Sequence, residues 1–271
     1  MPSNDIGGDV YVSPRYLAGL PGHADPSFHP VAQWPHHRLD AGPCQLVVTS
    51  PDHRIRIGWL GDDHDTWLIS AAEDPVSAAR WTARINQNTP PEIVEGLTRA
   101  LAAEWDEDSD SFLTSRLYFW SDAVRPLLDA GWEKGPLARG RVEVVSPDGL
   151  AGASIDVVTS SPDAETVTLW AGPPGWGTRA EAAFTARTPK HLVAATAAAL
   201  ADPTPVLRYR DSLDPRLAQL AQLTPILPPG PRVPTPLDVR RIASRRPAAL
   251  PAASVPRWST TSTPALPGRN R

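Results

Sequence analysis

One segment of this chain occurs twice, and the duplication limits what it can fold into more than any other feature. The first copy runs from Ser50-Pro51-Asp52 through Ala83-Arg84-Ile85 and Thr89-Pro90 to Ile93-Val94 and Ala100-Leu101-Ala102. The second runs from Ser146-Pro147-Asp148 through Ala182-Ala183-Phe184 and Thr188-Pro189 to Leu192-Val193 and Ala199-Leu200-Ala201. The Ser-Pro-Asp triplets are offset by 96 residues and the Thr-Pro pairs by 99, a net gain of three in the second copy. Two similar units of roughly 60–100 residues fall within the usual domain range.

Hydrophobic periodicity assigns each copy a strand meander followed by a helix. Arg54-Ile55-Arg56-Ile57-Gly58-Trp59 alternates, with Ile55, Ile57 and Trp59 on one face. Gln45–Thr49, Thr66–Ser70 and Ala79–Ile85 also read as strands. Each Ser-Pro-Asp is a turn: proline presets φ, and aspartate bonds the backbone two residues on. Thr89-Pro90-Pro91-Glu92 has the residues of a capping box. Ile93, Val94, Leu97, Ala100 and Leu101 then recur at helical spacing. The second copy repeats the plan over Val142–Val145, Ala153–Val158, Thr166–Trp170 and Arg179–Thr185, with His191 where the first copy has Glu92.

The expected fold is α+β: two tandem repeats, each a three- to four-stranded antiparallel sheet with one helix packed on it, related by a pseudo-two-fold and followed by a disordered tail. The boundaries expected are an N-terminal arm and His/Pro-rich loop (1–44), a first repeat (45–104), an acidic linker and connector helix (105–140), a second repeat (141–211) and the tail (212–271). Phe28, Val31 and Trp34 are the expected anchors of the N-terminal loop, Val10–Val12 an added edge strand, and Asp122–Trp132 a short helix ended by Gly131.

Composition separates body from tail. Residues 204–271 hold eleven Arg and three Asp, a net +8, leaving −12 on residues 1–203. Twelve of the sixty residues from 212 onward are Pro. Such a segment buries too little apolar surface to offset its ordering entropy. With one cysteine, Cys44, the chain can form no internal disulfide and no multi-Cys metal site. No apolar run reaches 18 residues and no signal peptide is visible, so a cytoplasmic protein without a membrane partner is expected.

His23, His29, His36 and His37 lie near Asp25, Asp40 and Cys44, but their spacing matches no zinc pattern. The acidic run Glu104–Asp110 lacks the turn glycine of a calcium loop. No metal site and no cofactor are therefore expected. The chain has no Gly-x-Ser-x-Gly elbow, P-loop, dinucleotide fingerprint or His-Glu-x-x-His, and so no assignable catalytic residue.

The Tyr-Val-Ser-Pro-Arg-Tyr-Leu-Ala-Gly opening (11–19), the two Ser-Pro-Asp turns, the two Thr-Pro helix starts and Leu128-Asp129-Ala130-Gly131-Trp132 together resemble the Streptomyces-type SPDY-motif family, a domain of unknown function found in tandem. The resemblance spans about residues 9–211. The fourth motif position is His53 in one copy and Gly149 in the other, so neither keeps the tyrosine. Membership implies an actinobacterial, cytoplasmic protein and supplies no activity.

Duplication without a catalytic constellation points to a non-catalytic interaction or adaptor module, with an unidentified protein partner or self-association. Trp59, Trp67 and Trp81 of the first copy and Arg240, Arg241, Arg245 and Arg246 of the tail are the candidate contact residues. The alternative is nucleic-acid binding through the tail, since arginine contacts phosphate and stacks on bases. A second alternative is an enzyme built on Asp52, His53, Asp62, His64 and Asp65 in the first repeat.

Overall fold

The two repeats share one sheet. Ten strands pair in the order β2-β3-β4-β5-β6-β11-β10-β9-β8-β7. The first half is β2 (His36–Arg38), β3 (Leu46–Thr49), β4 (Ile55–Trp59), β5 (Asp65–Ala71) and β6 (Trp81–Asn86). The second is β7 (Glu133–Lys134), β8 (Arg141–Val145), β9 (Ala151–Asp156), β10 (Glu165–Ala171) and β11 (Ala180–Thr185). Every pairing is antiparallel. This computed structural model describes residues 8–19, 26–38, 45–60, 65–107, 110–115, 117, 119–173, 177 and 179–225. They all lie within one unit, Met1–Ile226.

The join between the repeats is the β6–β11 ladder: Ile85 faces Ala182, Arg84 faces Ala183, and Ala83 faces Phe184. The 99-residue offset carries Arg84 onto Ala183, and exchanges the pair on one side with the pair on the other. The meander of each repeat therefore continues into its neighbour, and neither last strand remains an unpaired edge.

Helices α1 (Pro91–Asp106) and α4 (Lys190–Ala201) cover one face of this sheet. That face collects the apolar positions of the alternating strands. Ile55, Ile57, Ile69, Ala83 and Ile85 of the first half and Val144, Ala153, Ile155 and Phe184 of the second are fully buried. They meet Ile93, Val94, Leu97 and Leu101 of α1 and Leu192, Val193, Ala197 and Leu200 of α4 in a single core.

The two helices touch where Gly96 meets Ala195 and Ala199. A Cβ at position 96 would sit 2.6 Å from Ala199 Cβ and 3.0 Å from the Ala195 carbonyl oxygen. Glycine in a helix interior costs about 1 kcal/mol relative to alanine. Here the missing side chain permits the close approach. Positions 96 and 195 are themselves 99 apart, so the helices cross at equivalent points.

The capping box expected at Thr89 and Glu92 does not form. Pro90 occupies the N-cap and no side chain caps the helix. Thr89 Oγ1 instead contacts the Asn86 side chain at 3.0 Å and the Glu181 carbonyl of β11 at 3.2 Å. Glu92 pairs with Arg208. Thr188 behaves like Thr89: its Oγ1 lies 3.3 Å from Thr185 Oγ1 and 3.5 Å from the Thr82 carbonyl of β6. The recurrent threonines thus reach across the repeat boundary rather than back onto their own helices.

The N-terminal arm is part of the fold. β1 (Asp9–Val12) lies at the centre of a second sheet, in the order β12-β1-β13, rather than at an edge. Its partners are β12 (Val206–Tyr209) and β13 (Thr224–Pro225). The segment expected to be disordered from Ser212 begins with structure. Helix α5 (Pro215–Leu220) is capped by Asp214, and Leu213 and Leu217 are buried. The apolar spacing Leu213–Leu217 holds this turn on the body despite the flanking prolines. Val31 and Trp34 are buried, with Phe28 packed on the core beside Trp67. Two short helices, α2 (Trp120–Ala123) and α3 (Arg125–Asp129), make up the connector. The rest of the tail, from Ile226, lies outside the described residues.

Candidate functional site

The Ser-Pro-Asp turns are built alike and are engaged in holding themselves together. Ser50 Oγ accepts the Ile55 N–H at 2.9 Å and donates to Asp52 at 2.6 Å. Ser146 Oγ accepts the Ala151 N–H at 3.0 Å and donates to Asp148 at 2.5 Å. Each aspartate also accepts a backbone N–H two residues on, from Arg54 or Leu150. The fourth residue adopts a left-handed backbone, φ 61° at His53 and 70° at Gly149. Glycine tolerates this region freely and histidine less so.

Both aspartates gain a cationic neighbour. Arg54 lies 3.5 Å from Asp52 and over the Phe112 ring. Arg15 lies 3.2 Å from Asp148, and the Tyr16 hydroxyl donates to the same carboxylate at 2.6 Å. Burial alone would raise the Asp148 pKa. The Ser146 and Tyr16 hydroxyls, the Leu150 N–H and Arg15 outweigh it and hold the carboxyl below its ordinary value. Burial and the bond to Asp148 push the Tyr16 phenol up. The N-terminal arm is thereby tied to the second turn.

The tryptophans singled out in the first copy are placed inward. Trp67 and Trp81 are buried, and Trp81 Nε1 donates to the Phe112 carbonyl at 2.7 Å. Trp59 faces Trp67 across β4–β5 and packs against the core. Buried rings offer a partner no surface, so Trp67 and Trp81 act as core residues in this fold. Arg240, Arg241, Arg245 and Arg246 lie outside the described residues.

Of the scattered His/Asp candidates, the side chains of Asp52 and His53 are described. Asp62 and His64 are outside the described residues, and Asp65 is described only as the first backbone position of β5. His53 Nδ1 and His37 Nε2 flank Thr49 Oγ1 at 3.2 and 3.3 Å. Among the described residues no three His, Cys, Asp or Glu side chains gather where a metal could bind.

A concentration of unabsorbed polar groups lies on the other face of the sheet, which α1 and α4 leave open. Strand alternation places Glu143, Ser154, Thr168, Trp170 and Glu181 there. Pairing aligns them in rows, Glu181–Trp170–Gly152 and Ala183–Thr168–Ser154–Glu143. They border an open depression of about 240 Å³ carrying Glu143, Asp156, Glu165 and Glu181 against Arg141 and Arg179.

Trp170 forms its floor. A Cβ at Gly152 would lie 2.5 Å from the indole, so the ring rests on the β9 backbone. The Arg179 guanidinium covers the ring at 4.0 Å from its centroid. Arg179 Nε is 3.8 Å from Glu181 and makes no hydrogen bond among the described residues. Burial lowers the Arg179 pKa, with Glu181 and Glu143 acting against the shift.

The depression belongs to the second repeat. By strand register, Ser70 stands where the second copy has Trp170, and Arg56 stands where it has Gly152. The sequence signal was the alternation Arg141-x-Glu143, Thr168-x-Trp170 and Arg179-x-Glu181, whose polar members point away from the helices.

With this geometry in hand, both repeats match a known family, the SPDY domain of unknown function (DUF317), over residues 49–105 and 145–206. Each repeat is a SPDY domain. The matched segments contain the Ser-Pro-Asp and Thr-Pro residues that close turns and join the sheets, so the SPDY signature here is a folding signature. No curated protein and no solved structure matches the chain. Among the described residues no helix is long and apolar enough to cross a membrane.

Proposed function

We propose that this tandem SPDY protein is a non-catalytic interaction module that holds a cationic polypeptide segment on the open sheet face of its second domain. The supporting observation is the depression around Trp170, where four carboxylates outnumber two arginines. The motif aspartates are engaged within their own turns and with neighbouring arginines, leaving them no evident role as acid or base. On this reading the two domains are related by an approximate two-fold axis between β6 and β11. The first domain supplies support, and the second, where Trp170 and Gly152 replace Ser70 and Arg56, supplies recognition. A face this open suits an extended chain better than an enclosed small molecule.

The test is fluorescence anisotropy of a labelled nona-lysine peptide against the full chain. A nona-glutamate peptide and the Glu143→Gln/Glu181→Gln variant serve as controls. Binding that weakens at least tenfold in the variant, and weakens with added salt, is expected. Equal binding by chain and variant, or none, would remove the basis of the reading.

A further inference from the structure

The small sheet β12-β1-β13 has one face that no other described element covers. Val10 and Val12 point inward and are buried with Leu17, Tyr16 and Leu213. The alternate positions point outward: Tyr11 is 40% exposed, Leu207 48% and Tyr209 49%. Register sets Tyr11 opposite Leu207, and Asp9 opposite Tyr209. The two tyrosines are therefore diagonal neighbours, with side chains about 7–8 Å apart.

Two carboxylates, Asp9 and Asp211, flank this strip, with Arg210 between Tyr209 and Asp211 in the sequence. Asp9 lies across from Tyr209, and the carboxylates of Asp211 and Asp9 raise the Tyr209 pKa. Arg208, the strand's own cation, is turned to the other side and paired with Glu92. An aromatic strip flanked by carboxylates on a rigid sheet is what a polyproline helix with a cationic residue requires. Its prolines stack without needing backbone hydrogen bonds, and its guanidinium finds a carboxylate. β1 is paired on both edges and offers no ladder to an added strand.

We propose that the Tyr11–Leu207–Tyr209 face is a second binding surface, and that its occupant is an extended proline-rich peptide carrying arginine. The probe is a labelled (Arg-Pro-Pro)4 peptide titrated against the full chain. (Glu-Pro-Pro)4 tests the charge, and (Arg-Gly-Gly)4 tests the polyproline conformation. Saturable binding is expected, at least tenfold weaker for either control peptide and for Tyr209→Ala or Tyr11→Ala. Tyr209→Thr, which keeps strand propensity, is expected to lose binding equally with an unchanged melting curve. The Glu143→Gln/Glu181→Gln variant is expected to bind as the parent does, which separates this surface from the open face of the second domain. Equal affinity for (Arg-Gly-Gly)4, indifference to the tyrosine variants, or absence of saturable binding would overturn the proposal.

Discussion

Replacing Gly96 by alanine sets two effects of known size against each other. In an isolated helix the change is favourable by about 1 kcal/mol. In this protein the new methyl would lie 2.6 Å from Ala199 Cβ and 3.0 Å from the Ala195 oxygen. Neither is the movable end of a long side chain, so α1 and α4 must separate by about 1 Å along their contact. A gap of that size forfeits a quarter to a half of each affected dispersion contact. Overpacking of this kind costs about 1–3 kcal/mol. The net expectation is a loss of up to about 2 kcal/mol, or a midpoint lowered by up to about 8 °C for a body of this size. Urea unfolding followed by tryptophan fluorescence and by circular dichroism measures it. A double-mutant cycle with Ala199→Gly is expected to recover about 1 kcal/mol of coupling, because it removes the shorter contact. A Gly96→Ala protein more stable than the parent would refute the close crossing.

Three further outcomes follow from the same structure. Thr89→Val and Thr188→Val should each lower stability by about 1 kcal/mol, with no loss of helix content, because their hydroxyls bind the neighbouring repeat rather than cap a helix; a drop in helicity alone would contradict this. Gly149→Ala should cost about 1 kcal/mol in denaturant titration, since its φ of 70° is a left-handed conformation although nothing crowds the site. The depressed Asp148 pKa stabilises the fold above the ordinary carboxylate range and ceases to as pH falls through the lowered value, whereas the raised Tyr16 pKa stabilises it below about pH 10. Asp148→Asn should flatten the acid limb of a stability–pH profile and Tyr16→Phe the alkaline limb, and unchanged slopes would count against the Arg15–Tyr16–Asp148 contact.

The parts of this fold that sequence reveals are those set by local periodicity. Ile55, Ile57 and Ile85 alternate because one side of their strands is covered, and Ile93–Leu101 recur as α1 requires. Partner choice is not local. The exposed polar alternation of β11 does not say that its free edge meets β6, and Thr89 carries the residues of a cap whether its hydroxyl turns to its own helix or to Glu181. The burial of Trp67 and Trp81 shows a related limit: an indole in a strand reads the same under a helix as on an open face. The sequence places Trp170 at the end of the strand Thr166–Trp170. Its significance came from Gly152 beside it, a neighbour set by strand pairing rather than by sequence distance.

Two SPDY domains joined strand to strand into one sheet is the claim on which the rest depends, and cysteine crosslinking tests it directly. In a Cys44→Ser chain, Arg84→Cys and Ala183→Cys stand opposite each other across β6 and β11, with Cβ atoms about 5 Å apart. Val47→Cys and Ala183→Cys stand four strand spacings apart, about 19 Å. A crosslinker about 5 Å long with two thiol-alkylating ends should join the first pair within a single chain, and should leave the second unjoined. Equal crosslinking of both pairs, or linkage of 84 to 183 only between chains, would contradict the shared sheet.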